Sequence, residues 1–462
     1  MGYPEQVRSN PLGEKPIITL LLQYAVPTIL SMMVGSLYNM VDQIFIGQRI
    51  GYLGNAATTV AYPLTILCTA VTLLVGSGSS VTFNLNNGRG DKAAAMRVAG
   101  NGFVLLAIEG VALAVITSVF IDSFIYIFGS TQEVAPYAHT YIRIISIGIP
   151  FLAMTTGGTL LIRSDGSPRY ALFCSLTGVA ANFVLDYLFM FPLNMGIAGA
   201  ALATIIGQIL SAACVVRYVF RFKTGKMTRE DFRLSWGLTK KIASIGASAS
   251  FNQAAMLLMN MVLNSSLRHY GELSVYGGSA CLAAAGVVTK VNFLLYSMVI
   301  GCTVGGQPIV GFNFGAGKYD RVMKTYRTEI CFALVVGVLE TAMFWLMPGP
   351  ILKLFGSGAV GYEVFATRFM HIFMLLVVLA GLPPVSMNAM AAIGKATKGI
   401  LISMSKQIAL VIYLLLLPLL FNIEGVLWAG PVADLTAAVC TMLIVRREFS
   451  RIKAMIPGEK LR

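Results

Sequence analysis

Two acidic residues lie within long apolar stretches of the sequence, and each has polar residues one helical turn away. Asp42 follows Tyr38 and Asn39 by four and three residues, so the three side chains share one face of a helix. Asp186 follows Asn182 at the same kind of spacing. A carboxylate at the depth of a bilayer is costly, so both acids are candidates for a functional role rather than a structural one.

Four oxygen-bearing side chains are expected to fall in one layer of such a protein. At 1.5 Å per residue, Asp186 lies about 9 Å and Thr204 about 13 Å from the turn that joins their helices, and Asp42 lies roughly 9–14 Å from the Gly47–Gly54 loop. Asn182 accompanies them. Carboxylate, amide and hydroxyl oxygens at one depth suit either a proton carrier or Na⁺. The sequence therefore predicts an ion-coupling site at Asp42, Asn182, Asp186 and Thr204.

Composition requires a membrane around these residues. The chain is 56% hydrophobic and only 12% charged, with a mean hydropathy of +0.76, whereas soluble domains average about 25% charged residues. Apolar runs long enough to cross a bilayer recur from end to end. We predict an all-α membrane protein with twelve spans, at about 17–47, 54–86, 94–119, 134–161, 169–191, 195–219, 238–267, 278–313, 323–346, 361–390, 398–420 and 424–446. Pro27 removes an amide donor within the first span and predicts a helix bend there.

Repeated segments divide the spans into two halves. Gly88-Arg89-Gly90-Asp91-Lys92 recurs as Gly315-Ala316-Gly317-Lys318-Tyr319-Asp320, and Asn39-Met40-Val41 recurs as Asn260-Met261-Val262. Six spans precede and six follow a polar stretch, so the two halves enter the membrane in the same direction, as in parallel-repeat transporters. We predict an N-terminal lobe (1–220), a cytoplasmic linker (221–237), a C-terminal lobe (238–446) and a basic cytoplasmic tail (447–462).

Basic residues are distributed unevenly between the loops. Of the 34 Lys and Arg residues, Arg49, Arg268 and Lys353 lie in loops on one side, and Arg143, Lys290 and Arg368 fall within spans. The rest, including Lys406 after the tenth span, are assigned to the other side, which we call the basic side. The positive-inside rule then places both termini in the cytoplasm of a multi-pass protein of the cell membrane, so the net charge of +14 reflects topology and contact with lipid headgroups.

Several other charges fall within the predicted spans. Glu109, Glu340 and Asp434 each stand alone in the sequence. Lys290 is interpreted as a counter-charge in a central cavity or as a lysine that is paired or extends to the interface. Met33 on the first span is interpreted as part of an adaptable pocket or as a packing residue.

Most other function classes lack the residues they need. The sequence shows no Ser/His/Asp pattern, no His-rich metal pattern and no Cys-x-x-Cys pair. We therefore expect neither an enzyme nor a cofactor. No soluble domain is predicted that could bind nucleic acid. A receptor would usually have seven spans and no such repeat. We expect a monomer embedded in the lipid bilayer.

Four segments together resemble the multidrug and toxic compound extrusion (MATE) family, in its prokaryotic DinF-like or MepA-like branch. They are Asn39 to Gly47, Gly88 to Asp91, Asn182 to Asp186 and Gly305 to Ala316. The resemblance covers almost the whole chain and implies two six-helix lobes. It also implies secondary active efflux of amphipathic or cationic drugs, in antiport against H⁺ or Na⁺.

The resemblance also implies roles for individual residues. Acids matching Asp42 and Asp186, with polar residues matching Asn182 and Thr204, form the ion-coupling site of the first lobe in that branch, and Pro27 matches the bend in the first helix. We add Tyr38, Asn39 and Met33 as candidate substrate contacts. The alternative is a flippase for a lipid-linked oligosaccharide, which shares the lobe plan but would need a strongly cationic cavity.

The charge asymmetry makes a direct prediction about topology. Alkaline phosphatase fused to the C-terminus should be inactive, because it folds only outside the cytoplasm, and a fluorescent protein fused there should be bright. Measuring both activities in whole cells tests this. An active phosphatase fusion with a dark fluorescent fusion would reverse the topology.

Overall fold

The computed structural model describes residues 10–50, 52–128, 132–354 and 360–453, and within these ranges every regular element is a helix. This agrees with the predicted all-α membrane class. The apolar runs form helices because only a helix satisfies all of its own backbone hydrogen bonds away from water.

Seventeen helices are labelled here in chain order. Those of the first half are α1 Pro11–Glu14, α2 Ile17–Ile50, α3 Tyr52–Gly88, α4 Lys92–Val119, α5 Ile121–Ile127, α6 Ala135–Ser164, α7 Pro168–Met190 and α8 Gly196–Val219. Those of the second half are α9 Trp236–Glu272, α10 Gly278–Gly315, α11 Tyr319–Leu346, α12 Pro348–Leu354, α13 Val360–Arg368, α14 Val377–Ala380, α15 Leu382–Ala392, α16 Ala396–Phe421 and α17 Ile423–Lys453.

Each of the twelve predicted spans corresponds to one long helix or, for the tenth, to one bent pair of helices, and the shorter helices lie between them. Within the described residues, eleven helices are long and apolar enough to cross a membrane, or up to twelve if each bent pair is one span. The bent pair is the tenth span, which is interrupted by a π-helical turn at Phe369–Phe373 and bent by 58°. The sequence analysis predicted a single helix there. Pro383 and Pro384 begin α15, where they remove two amide donors and favour a new helix start.

One helix end differs from the predictions, and two other predictions stay open. The last helix, α17, continues to Lys453, past the predicted start of the tail at residue 447. Helix α2 is continuous through Pro27, so the bend at that residue stays a prediction, as does the division of the chain at residues 220 and 238.

The two lobes contact each other through glycine at the basic side. A Cβ atom at Gly246 of α9 would lie 1.8 Å from the Leu74 carbonyl oxygen of α3, and one at Gly301 of α10 would lie 2.6 Å from the Cα of Ile29 in α2. The repeated motifs themselves meet, since a Cβ at Gly315 would lie 3.2 Å from the Cα of Gly88. Small residues thus let the backbones of the four central helices approach closely.

Toward the other side of the membrane, the faces of α9 and α10 that carry these glycines are no longer covered by the opposite lobe. Asn264 lies on the face of α9 that carries Gly246, and its side chain is exposed. On α10, a Cβ at Gly286 would meet nothing within 4 Å. The lobes therefore enclose a cleft that is closed at the basic side and open at the opposite side.

An N-terminal segment seals the closed end across both lobes. The Arg321 side chain of α11 donates to the backbone carbonyls of Leu12 and Lys15, at 3.1 and 2.7 Å. Lys318 donates to the carbonyl of Gly13 at 2.9 Å. Because these donors belong to the second half and the acceptors precede the first span, the contact links the two lobes.

Close packing at the glycine contact makes a prediction about stability. Gly246→Ala should lower the melting temperature of the purified protein, because the new methyl group would displace the α3 backbone, and overpacking usually costs about 1–3 kcal/mol. Thermostability measured by fluorescence-detected size exclusion tests this. Gly286→Ala is the matched control within a spanning helix. Equal melting temperatures for the two variants would contradict this account of the contact.

Candidate functional site

Asp42 on α2 and Asp186 on α7 form the centre of the candidate site. They expose 8% and 1% of their surfaces. Their carboxyl groups lie close enough to interact electrostatically. Two ionised carboxylates at short range repel each other, so a proton on one of the two groups or a cation between them would stabilise the pair.

The other two residues of the predicted site lie beside this pair. Asn182 is one turn before Asp186 on α7 and is 3% exposed. Its Nδ2 donates to Thr204 Oγ1 of α8 at 3.3 Å. The Tyr38 hydroxyl of α2 shares a hydrogen bond with the same Thr204 oxygen at 3.5 Å. Three helices thus bring Asp42, Asn182, Asp186 and Thr204 together, as the layer argument predicted, and their role in coupling stays a prediction.

Three oxygens in this cluster lack a donor. One side-chain oxygen of each of Asp42, Asn182 and Asp186 is buried and has no hydrogen-bond partner in the described part of the chain. A buried acceptor without a donor costs free energy. A proton or a hard cation bound between these oxygens would remove that cost.

One neighbour of the site was missed from the sequence. Tyr141 on α6 lies close enough to Asp42 and Asp186 to interact with both electrostatically. It lies in the fourth span among apolar residues, where a tyrosine gives no signal of its own. A hydroxyl group near a carboxyl pair at membrane depth can relay a proton or ligate a cation, and Tyr141 therefore joins the candidate residues.

Of the candidate substrate contacts, Tyr38 lies in the acidic cluster and Met33 lies beside the cleft. Tyr38 belongs to the cluster through its contact with Thr204. Met33 is half-buried and lies one turn from Ile29, on the face of α2 that contacts α10 at Gly301. It therefore lies beside the cleft. The side chain of Asn39 lies outside the described residues.

Two assignments in the second lobe were wrong. Lys406 does not belong to a loop: it lies within α16, and its Nζ is 2.7 Å from Asp434 Oδ1 of α17. Asp434 therefore does not stand alone. Glu340 of α11 is 3% exposed and lies close enough to both to interact electrostatically. The pairing explains how a lysine can lie at this depth, since a buried charge is tolerated when it is paired.

A further buried acid was missed. Glu329 on α11 is 2% exposed, and its Oε1 has no hydrogen-bond partner within the described ranges. A Cβ at Gly306 would lie 1.7 Å from that oxygen, so the glycine makes room for the carboxyl group. Its position within the predicted ninth span was the available signal. Glu109 on α4 also has a buried oxygen that finds no partner among the described residues.

The chemistry open to the cluster is exchange of a cation or proton. Among the described residues, no group of three or more His, Cys, Asp or Glu side chains could hold a metal ion in the manner of a structural or catalytic site. The Asp42–Asp186 pair instead offers two carboxyl groups with neutral amide and hydroxyl oxygens. Such a set can bind and release one proton or one monovalent cation.

Fold and site together define a polytopic membrane protein of two six-helix lobes with a charged site at membrane depth. The family model MatE matches residues 27–188 and 249–417. The chain therefore belongs to the MATE family of transporters, and the sequence resemblance is confirmed.

Known relatives match over most of their length. A probable multidrug resistance protein, YoeA of Bacillus subtilis, is 25% identical over 341 residues, which cover 72% of each chain. An FAD transporter of Shewanella oneidensis is 23% identical over 95% of this chain and 96% of its own. The multidrug export protein MepA of Staphylococcus haemolyticus is 23% identical over 94% of each.

Solved structures show the same fold. An outward-facing multidrug resistance MATE transporter of the MOP superfamily superposes with a TM-score of 0.89 at 21% identity, covering 98% of this chain and 100% of that one. A MATE structure in a bent conformation gives a TM-score of 0.87 at 22% identity, covering 98% and 99%.

The carboxyl pair makes a prediction about activity. Asp42→Asn and Asp186→Asn should each reduce efflux of a cationic dye to that of cells without the transporter, because each variant removes a titratable charge while keeping the side-chain size. Dye efflux at matched protein level in the membrane tests this. Asp122→Asn, at an exposed acid of α5, is the control. Wild-type efflux by both site variants would show that the site is elsewhere.

Proposed function

We propose that the chain is a secondary active multidrug exporter that exchanges amphipathic, mostly cationic compounds for H⁺ or Na⁺. The observation that carries this proposal is the Asp42–Asp186 carboxyl pair, buried beside a cleft that is closed at one end. Relatives named as multidrug resistance and multidrug export proteins support the drug-efflux part.

The geometry supports ion exchange at the pair. Two carboxyl groups in contact hold one proton or one monovalent cation more stably than none, because their negative charges otherwise repel. Loss of that ion leaves an acidic site that attracts a cationic substrate. Ion and substrate then occupy the protein alternately, which is the requirement for antiport.

The cleft supports alternating access. Each lobe is a helical bundle with its own core. The two lobes can therefore rotate against each other as rigid bodies about the central helices. With the basic side in the cytoplasm, the closed end faces the cytoplasm and the cleft opens outward. Export then requires the glycine contact and the N-terminal seal to separate in the opposite state. We place the transporter in the cytoplasmic membrane as a monomer.

The flippase alternative finds less support. It would need several free cations in the cavity, but Arg368 is paired with Glu424 at 2.8 Å and Lys406 with Asp434. A cavity with so little free positive charge suits a lipid-linked oligosaccharide poorly.

Experiment can distinguish H⁺ from Na⁺ as the coupling ion. In proteoliposomes, a pH gradient without sodium and a sodium gradient at fixed pH should be compared as driving forces for ethidium transport. Thr204→Val removes a neutral oxygen ligand and should impair sodium-driven transport more than proton-driven transport, because a proton needs only the carboxyl groups. Asp42→Asn should end both.

Activity should also depend on pH in a defined direction if the proton is the coupling ion. Transport should fall when the side on which the proton is released is acidic enough to keep the pair protonated. The site then remains occupied by the proton and cannot accept the drug. Undiminished transport with neither gradient imposed, or a requirement for ATP, would contradict the antiport proposal.

A further inference from the structure

Lys290 is a cation at membrane depth that has no partner among the residues the structure describes. It lies on α10, its side chain is exposed, and no hydrogen bond or ion pair joins it to any residue that the structure describes. A charged lysine in contact with hydrocarbon would be costly. Its surroundings therefore decide whether it serves a function.

The helical position of Lys290 directs it into the cleft. It precedes Gly301 by about three turns and shares its face, and Gly301 contacts Ile29 of the other lobe. The opposite face of α10 carries Cys281 and Val288, which are fully buried in the core of the second lobe. Lys290 thus points away from its own lobe and toward the other.

The cleft opens at this level of α10. Ser297, two turns closer to the basic side on the same face, is 4% exposed. Gly286, one turn toward the open side, has nothing within 4 Å of a Cβ. Phe293, next to Lys290 on this face, is 48% exposed and offers an aromatic surface. Lys290 therefore lies where the closed end gives way to open space.

Lys290 also lies at the depth of the acid pair in the other lobe. Helices α2 and α10 touch at Ile29 and Gly301. Counting outward from that contact at 1.5 Å per residue, Lys290 lies about 16 Å away and Asp42 about 20 Å away. A positive group of one lobe and a negative pair of the other thus occupy nearly the same level.

Other cations at this depth are not available to a ligand in the cleft. Arg368 is bound to Glu424 and the Tyr276 hydroxyl, and Lys406 is bound to Asp434. Arg143 is exposed but precedes Ser146 by one turn on α6, and Ser146 contacts Ser118 of α4, away from the contact between lobes.

We propose that Lys290 binds an anionic group of the substrate, so that the cleft selects zwitterionic amphiphiles. A carboxylate or phosphate would pair with Lys290 and an aromatic body would lie against Phe293. A basic group would be attracted toward the other lobe, where the Asp42–Asp186 pair is buried at nearly the same level. This inference rests on the proposed export function and names the substrate class of the same cleft. A charge-assisted hydrogen bond of this kind is stronger than a neutral one.

A matched pair of dyes tests the proposal. Rhodamine B carries a carboxylate and a delocalised cation, and its ethyl ester keeps the cation but lacks the carboxylate. Fluorescence titration of purified protein in nanodiscs should show that Lys290→Gln weakens binding of rhodamine B about tenfold, the loss of one charge-assisted hydrogen bond. Binding of the ester should stay at the wild-type level or improve.

Two control variants accompany the titration. Lys290→Arg keeps the charge and should retain most of the binding of rhodamine B. Lys353→Gln removes an exposed lysine from α12 and should change neither titration. Equal weakening of both dyes by Lys290→Gln, unchanged binding of rhodamine B, or a wild-type protein that does not bind rhodamine B would each overturn the proposal.

Transport measurements separate this proposal from the proposed function. If gradient-driven dye transport fails in the wild type while the titration discriminates as expected, antiport is wrong and the role of Lys290 stands. If transport proceeds but Lys290→Gln lowers transport of both dyes equally, the inference about the substrate fails alone.

Discussion

The cost of a charge in hydrocarbon is the constraint that organises this protein. Every charged group at membrane depth needs a partner or access to water. Lys406 has Asp434, and Arg368 has Glu424. Asp42 and Asp186 share a cluster with neutral amide and hydroxyl groups and no basic side chain in the described residues pairs with them, which leaves a negative charge that an exchangeable ion can balance. The groups that the fold does not pair are therefore those on which transport can depend.

The same helix connects the charged site to the closed end of the cleft. Helix α2 carries Asp42 toward the open side and contacts α10 at Ala25 and Ile29 toward the basic side. Pro27 lies between these two contact residues and removes a backbone hydrogen bond there. A change of charge at Asp42 can thus be transmitted along α2 to its contact with α10. Because Pro27 removes a backbone hydrogen bond, α2 bends most easily where the two lobes touch.

Much of this organisation could be predicted from the sequence, because hydropathy alone determines where helices cross a membrane. The layer of Asp42, Asn182, Asp186 and Thr204 also followed from counting residues along helices of known rise. The break in the tenth span was missed, because its apolar composition continues through the π-helical turn. Pairing across helices was not predictable either: Lys406 and Asp434 belong to neighbouring spans, and nothing in their spacing along the chain shows that they meet.

The two lobes therefore have the same arrangement of helices but a different distribution of charged side chains. The repeated glycine segments place α3 against α10 in equivalent ways, whereas the acids of the ion site occur only in the first lobe. The second lobe neutralises its buried lysine internally and presents Lys290 to the cleft. A ligand held between the lobes meets a positive side chain on one wall and is attracted by a negative pair buried behind the other. Because the walls separate when the lobes rock, a molecule that bridges both charges would be bound most tightly when the walls are closest. Its affinity would then change with the conformational cycle, which is what release at the far side of the membrane requires.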